Sequence, residues 1–179
     1  MEYLQLIYIA LPCFVANMMP VFFNRLKLLL GLKKPLDNGL KIFNKRLFGD
    51  NKTVRGLVVG IIGALIVSLI QYWLWRWNFV EFNILSSLNQ FLLYGFLAGF
   101  GAIAGDAVES IIKRQLSIKS GDPLIVFDQI DYVVGFLLLT SFVISWNMNQ
   151  IMFLLLFSLI AHPISNIIAY IFKIKKTYW

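Results

Sequence analysis

Five apolar stretches divide the chain, and each approaches the roughly 20 residues a helix needs to cross a ~30 Å hydrocarbon core. They run over 3–23, 54–75, 91–112, 132–146 and 151–172, the fourth being short enough to borrow residues on either side. Composition agrees. The chain is 59% hydrophobic and 14% charged, whereas soluble domains are about 45–50% apolar and about 25% charged. The sequence therefore predicts an all-α integral membrane protein: five transmembrane helices in a single membrane-embedded domain over 1–179, with two functional cytoplasmic loops. The first stretch reads as a retained helix, because Glu2 precedes it and it lacks a basic leader and a small-residue cleavage site. Cys13, the one cysteine, lies inside that stretch and reads as a small buried hydrophobe.

The bases set the expected orientation. Nine lie between 24 and 55, Lys113, Arg114 and Lys119 follow the third stretch, and Lys173, Lys175 and Lys176 end the chain. With five spans, fifteen of the sixteen bases share one face and Arg76 stands alone on the other. The positive-inside bias then places the N-terminus outside and the C-terminus in the cytoplasm, at the cell membrane. The long loops 24–53 and 113–131 share that cytoplasmic side. Apolar residues interspersed among their polar ones predict that they fold against the helices.

Gly56 and Gly60, Gly95 and Gly99, and Gly101 and Gly105 are each four apart, a spacing that lets helix backbones approach in lipid. Pro12 and Pro20 should bend the first helix and leave carbonyls needing partners. Asn17, between them, should be bonded across helices or line a wet cavity on the lipid's route in.

The first loop is more than a basic run. Asp37-Asn38-Gly39 and Gly49-Asp50-Asn51 each predict a turn, and the second delivers Lys52, Thr53 and Arg55 to a helix start. A helix start with its free N–H groups is a ready anion site. Lys52 adds a mobile charge and Arg55 a planar fork suited to phosphate. Attraction of the same bases to anionic lipid is a compatible alternative.

The acids are as ordered as the bases. Asp106, Glu109, Ser110 and Lys113 fall at i, i+3, i+4 and i+7, one helical face. In an apolar helix such a stripe must turn inward. A private ion pair to Lys113 would explain two of these residues, but Asp128 and Asp131 follow at the mouth of the fourth stretch, with Asp122 in a Gly-Asp-Pro turn. Carboxylates gathered together repel unless a cation offsets them. All-oxygen ligands favour Mg2+, with Mn2+ possible, over zinc. His162, beside Pro163, reads as a bend or hydrogen-bonding residue rather than a base. Acids for a metal and bases for phosphates, held on one face of a membrane bundle, equip a chain for phosphoryl or nucleotidyl transfer onto a lipid.

These residues also form a pattern. Gly105-Asp106, Ser110 and Lys113-Arg114, followed by Asp128 and Asp131, resemble the signature of the CTP-dependent lipid cytidylyltransferases. Pro35, Asp37 and Gly39, then Phe48-Gly49-Asp50 with Lys52-Thr53, then Arg55-Gly56, resemble the smaller five-helix branch, the CDP-archaeol synthase family. His162-Pro163, Asn166 and Tyr170 look like that branch too. Gln129 stands where the larger phosphatidate enzymes carry arginine, and their His-Gly-Gly is missing. The resemblance implies that CTP and an isoprenoid ether phosphatidic acid give CDP-archaeol and pyrophosphate, with Mg2+.

On that hypothesis Asp106, Asp128 and Asp131 ligate the metal, and Glu109 is a weaker or supporting ligand. Lys52, Arg55, Lys113 and Arg114 hold phosphates, and Thr53 and Ser110 donate hydrogen bonds. The expected partners are CTP and the membrane lipid phosphate, with no nucleic acid and no protein partner. Two alternatives stay open: a diacyl substrate giving CDP-diacylglycerol, and an ion-coupled transporter with Asp106 and Glu109 on its path. A polybasic scaffold leaves the ordered acids unexplained.

Overall fold

The computed structural model describes residues 2–81, 84–118, 122–175 and 177. Lys119 and Lys176, counted among the bases, lie outside the described residues. Five helices account for most of the chain: α1 (Tyr3–Arg25), α2 (Val54–Arg76), α3 (Leu88–Gln115), α4 (Phe127–Thr140) and α5 (Met148–Ile171). Between α1 and α2 come a 3-10 turn, Leu30–Leu32, and a small antiparallel hairpin of β1 (Lys41–Ile42) and β2 (Lys45–Arg46). Among the described residues four helices, α1, α2, α3 and α5, are long and apolar enough to cross a membrane.

The fourth stretch differs from expectation at both ends. Its helix starts at Phe127 and stops at Thr140, and 14 residues rise only about 21 Å. The stop has a local cause. Thr140 and Ser141 turn their hydroxyls back onto the carbonyls of Phe136 and Leu138, and Trp146 Nε1 donates to Thr140 Oγ1 at 3.1 Å. Asn147 then caps α5 in a reciprocal box with Gln150. Because α3 continues to Gln115, the second loop begins after that residue rather than at 113.

Small residues decide the packing. A methyl group on Gly105 would fall on the Asp131 carbonyl, and one on Gly135 would fall on the Gly101 carbonyl. The α3 and α4 backbones therefore touch without side chains between them. Gly95 and Gly99 admit Ser68 and Ala64 of α2 in the same manner. α1 runs unbroken through Pro12 and Pro20. Pro12 cannot donate to the Tyr8 carbonyl, and Gln71 Nε2 of α2 takes that acceptor at 2.6 Å. Tyr94 of α3 donates to the next carbonyl, Ile9. Around these contacts lies the core of Leu6, Ile9, Phe91, Tyr94, Val133 and Phe136, with Cys13 fully buried as expected.

Candidate functional site

The polar stripe of α3 turns inward. Glu109, Ser110 and Lys113 are buried and Asp106 is half-buried at the same end of the bundle. Gly105, one residue before Asp106, lets α4 approach until Asp131 lies opposite. One carboxylate oxygen each from Asp106, Glu109 and Asp131 then falls within 4.8 Å of the others. A hexacoordinate Mg2+ with bonds of about 2.0–2.1 Å places its ligand oxygens roughly 3–4 Å apart. The three acids therefore fit a small divalent cation after slight closure.

Two lysines border this group. Lys52 Nζ lies 2.5 Å from Asp106 Oδ1. Lys113 Nζ lies 2.8 Å from Glu109 Oε1 and 2.7 Å from Asp128 Oδ2. Asp106, Glu109, Asp128 and Asp131 thus gather four carboxylates at one end of the bundle, whose mutual repulsion a cation would offset. Asp128 differs from the other three. Beyond Lys113, both its oxygens accept from the Leu124 N–H, at 3.1 and 3.2 Å. It organises the start of α4 and lies outside the carboxylate trio, whereas Glu109, expected in a supporting place, lies within it.

The first loop folds around Asp37, whose side chain is fully buried. Its carboxylate accepts from the N–H groups of Gly39, Phe48 and Gly49 at 3.0–3.1 Å, and from Arg46 at 2.7 and 3.2 Å. Arg46 and these N–H groups hold its carboxyl well below the usual carboxylate range. Both expected turns form around it. Leu36 N donates to the Lys52 carbonyl at 2.8 Å, and Val54 N to the Lys34 carbonyl at 2.9 Å. The loop closes on itself and presents Lys52 to Asp106.

The other expected residues take varied places. Thr53 caps α2, its hydroxyl accepting from Gly56 N at 3.1 Å. Arg55 is buried and spends its fork on the Leu28 carbonyl at 3.0 Å and Asn24 Oδ1 at 2.8 Å, a scaffold position. Arg114 lines an open cleft of about 380 Å³ with Lys45, Arg46, Asp50 and Ser117. Asn17 is half-buried on α1 and lies outside the trio. His162 packs edge-on to the Tyr132 ring, centroids 5.7 Å apart. Asp122 is exposed.

Sequence reasoning missed two lysines. Lys45 docks the hairpin onto the end of α3, donating to the Gln115 carbonyl at 2.7 Å and Ser117 Oγ at 2.8 Å. Lys175 folds back after α5 and donates to Asn166 Oδ1 at 2.8 Å. Burial draws its ammonium below the ordinary lysine range, while the charges of Asp106 and Asp128 pull it up. The spacing of His162 and Asn166, one helical turn apart, was the available signal for a polar face on α5.

Comparison with known proteins points to one family. Residues 2–179 match the family model described as CarS-like, CDP-archaeol synthase. The CDP-archaeol synthase of Methanocaldococcus jannaschii is 36% identical over 176 residues, covering 94% of this chain and 93% of the relative. That of Methanothermobacter thermautotrophicus is 35% identical over 179 residues, covering 99% and 95%. Among solved structures, an intramembrane enzyme of archaeal membrane lipid biosynthesis superposes with a TM-score of 0.75 at 26% identity, covering 93% of this chain and 95% of that one.

Proposed function

The chain belongs to the CarS-like CDP-archaeol synthase family, and on that premise we propose how its residues carry out the family's reaction. It is a CTP-dependent cytidylyltransferase of membrane lipid biosynthesis that makes CDP-archaeol. The substrate is unsaturated archaetidic acid, 2,3-bis-O-geranylgeranylglycerol 1-phosphate. A phosphate oxygen of this lipid attacks the α-phosphorus of CTP. The bond from that phosphorus to the bridging β-phosphate oxygen breaks, pyrophosphate leaves, and a new P–O–P linkage joins lipid to CMP. The attacking phosphate monoester is already largely ionised at neutral pH, its second pKa being about 6. The reaction therefore needs positioning and charge neutralisation more than a general base.

The observation that carries this reading is the carboxylate trio of Asp106, Glu109 and Asp131, flanked by Lys52 and Lys113. Mg2+, or Mn2+ in its place, would be held by those acids and would supply charge neutralisation at the phosphates. Asp128 orients Lys113. Lys52, Lys113 and Lys175 hold phosphate oxygens, and Arg114 extends the basic surface toward the open cleft. Ser110 donates a hydrogen bond, and Asn17 lines the lipid's route in. Arg55 and Thr53 fix the loop that aims Lys52.

The same reading includes five membrane crossings, with the N-terminus outside and the site and C-terminus cytoplasmic. The contact of His162 on α5 with Tyr132, the residue after Asp131, supports it. With the second half of α5 beside the start of α4, α5 must begin at the far face. On that reading the segment 127–147, α4 with its seven following residues, carries the chain across.

The test is purified protein with labelled CTP, Mg2+ and a panel of ether-isoprenoid and diacyl phosphatidic acids. CDP-lipid should form with the ether substrate. Equal turnover of diacyl lipid would transfer the reading to CDP-diacylglycerol, and no CDP-lipid with any member would overturn it.

A further inference from the structure

Between α1 and the hairpin the chain does something that a water-facing loop avoids. Every residue from 24 to 34 is exposed. Five of them, Leu26, Leu28, Leu29, Leu30 and Leu32, are leucines between 39 and 58% exposed. A contiguous apolar patch of this kind marks an interaction surface. The backbone is held in an unfavourable shape to present it. Lys27 and Leu29 have φ of 53° and 51°, a region that costs a non-glycine residue about 1 kcal/mol or more. Leu30–Leu32 then form the 3-10 turn.

Both ends of the segment, and its middle, are tied to membrane-spanning helices at one face. It leaves α1 directly after Arg25, and Val54 N, at the start of α2, bonds the Lys34 carbonyl at 2.9 Å. Arg55, in the first turn of α2, grips Asn24 and the Leu28 carbonyl. The leucines therefore lie level with the ends of two spanning helices, where headgroups meet acyl chains. Arg25, Lys27, Lys33 and Lys34 are interspersed among them and are exposed as well. Leucines flanked by bases suit a surface that is apolar below and anionic above.

We infer that residues 26–32, with Arg25, Lys27, Lys33 and Lys34, form an interfacial anchor docking into the anionic headgroup layer of the membrane that the helices cross. It holds the first loop, and with it Lys52, at the depth of a lipid phosphate. It also draws anionic lipid, the substrate's own charge class, to the mouth of the site. The inference rests on the membrane placement of the helices and not on CTP chemistry, so its first test reads depth and not turnover.

A nitroxide label at Leu30→Cys, with buried Cys13 replaced by alanine, would be followed in nanodiscs by collision with oxygen and with a soluble nickel chelate. Oxygen should dominate. Raising the anionic lipid fraction should deepen the label in this background but not with K27Q/K33Q/K34Q added. A label met mainly by nickel, or a depth indifferent to lipid charge, overturns the inference. So does spectral broadening that grows with copies per disc, which would mean that another copy covers the leucines. A second readout is L29S/L30S: its apparent KM for lipid, as mole fraction, should rise about fivefold, a larger factor than any fall in kcat or rise in the KM for CTP. An unaltered lipid KM overturns the recruiting role.

Discussion

Single side chains at this site are distinguished by what already holds them. Among the described residues Asp131 makes no ion pair, while Asp106 pairs with Lys52 and Glu109 with Lys113; on the proposed reading these three carboxylates hold a cation. D106N and D131N should each lower kcat about 100-fold or more, the scale of lost charge stabilisation in a transition state. D128N, whose carboxylate serves Lys113 and Leu124 N, should lower it less and should leave the Mg2+ concentration for half-maximal rate unchanged. Wild-type turnover by D131N would end the metal assignment. Asp37 makes a stability prediction. Its carboxyl is held below the usual range when folded, against about 3.9 unfolded. The stabilisation is fully present above that unfolded value and is lost as pH falls through the folded one. Thermal unfolding in detergent should show the melting temperature of the wild type dropping below about pH 4, and D37N should flatten that drop. D37A leaves three backbone donors without their acceptor while Arg46 keeps Asp50, and should cost about 2–3 kcal/mol at neutral pH. The polar face of α3 was legible from its helical spacing alone. The division of labour between Glu109 and Asp128 was not, because it depends on where Lys113 points after α4 has docked.

At the scale of elements, the four long helices were legible because each is a long apolar run ending in basic or turn residues. The bounds of α4 were not, because its end is set by Thr140 and Ser141 bonding backward and by Trp146 reaching Thr140. Periodicity cannot register such contacts. The glycine spacings predicted close packing but not which helices would meet. The contact of Gly101 and Gly105 with Gly135 turns out to be what brings Asp131 to Asp106. G135A should therefore act on both stability and chemistry. Overpacking on this scale costs about 1–3 kcal/mol, and the shift of α4 should reduce kcat more than it raises the KM for CTP. A variant with a lowered melting temperature but full kcat per folded molecule would separate the helix contact from the site.

The whole molecule poses one question that its helices answer jointly. The ends of α1 and α3 and the starts of α2 and α4 gather around one charged region, tied by the Arg55 grip on Asn24, the Lys52 pair with Asp106 and the Lys113 pair with Asp128. His162 against Tyr132 brings the second half of α5 to the same region. On the proposed topology the starts of α1, α3 and α5 and the ends of α2 and α4 lie at the opposite face, where Arg76 is the one base among the described residues. On the proposed five crossings, an odd number separates the termini. In sealed vesicles of known orientation, an impermeant maleimide should label Glu2→Cys from the outside, and Thr177→Cys only after permeabilisation, both with Cys13 replaced by alanine. Labelling of both from one side would mean an even number of crossings. The short α4 would then fail to carry the chain through, and the charge asymmetry of this molecule would need another cause.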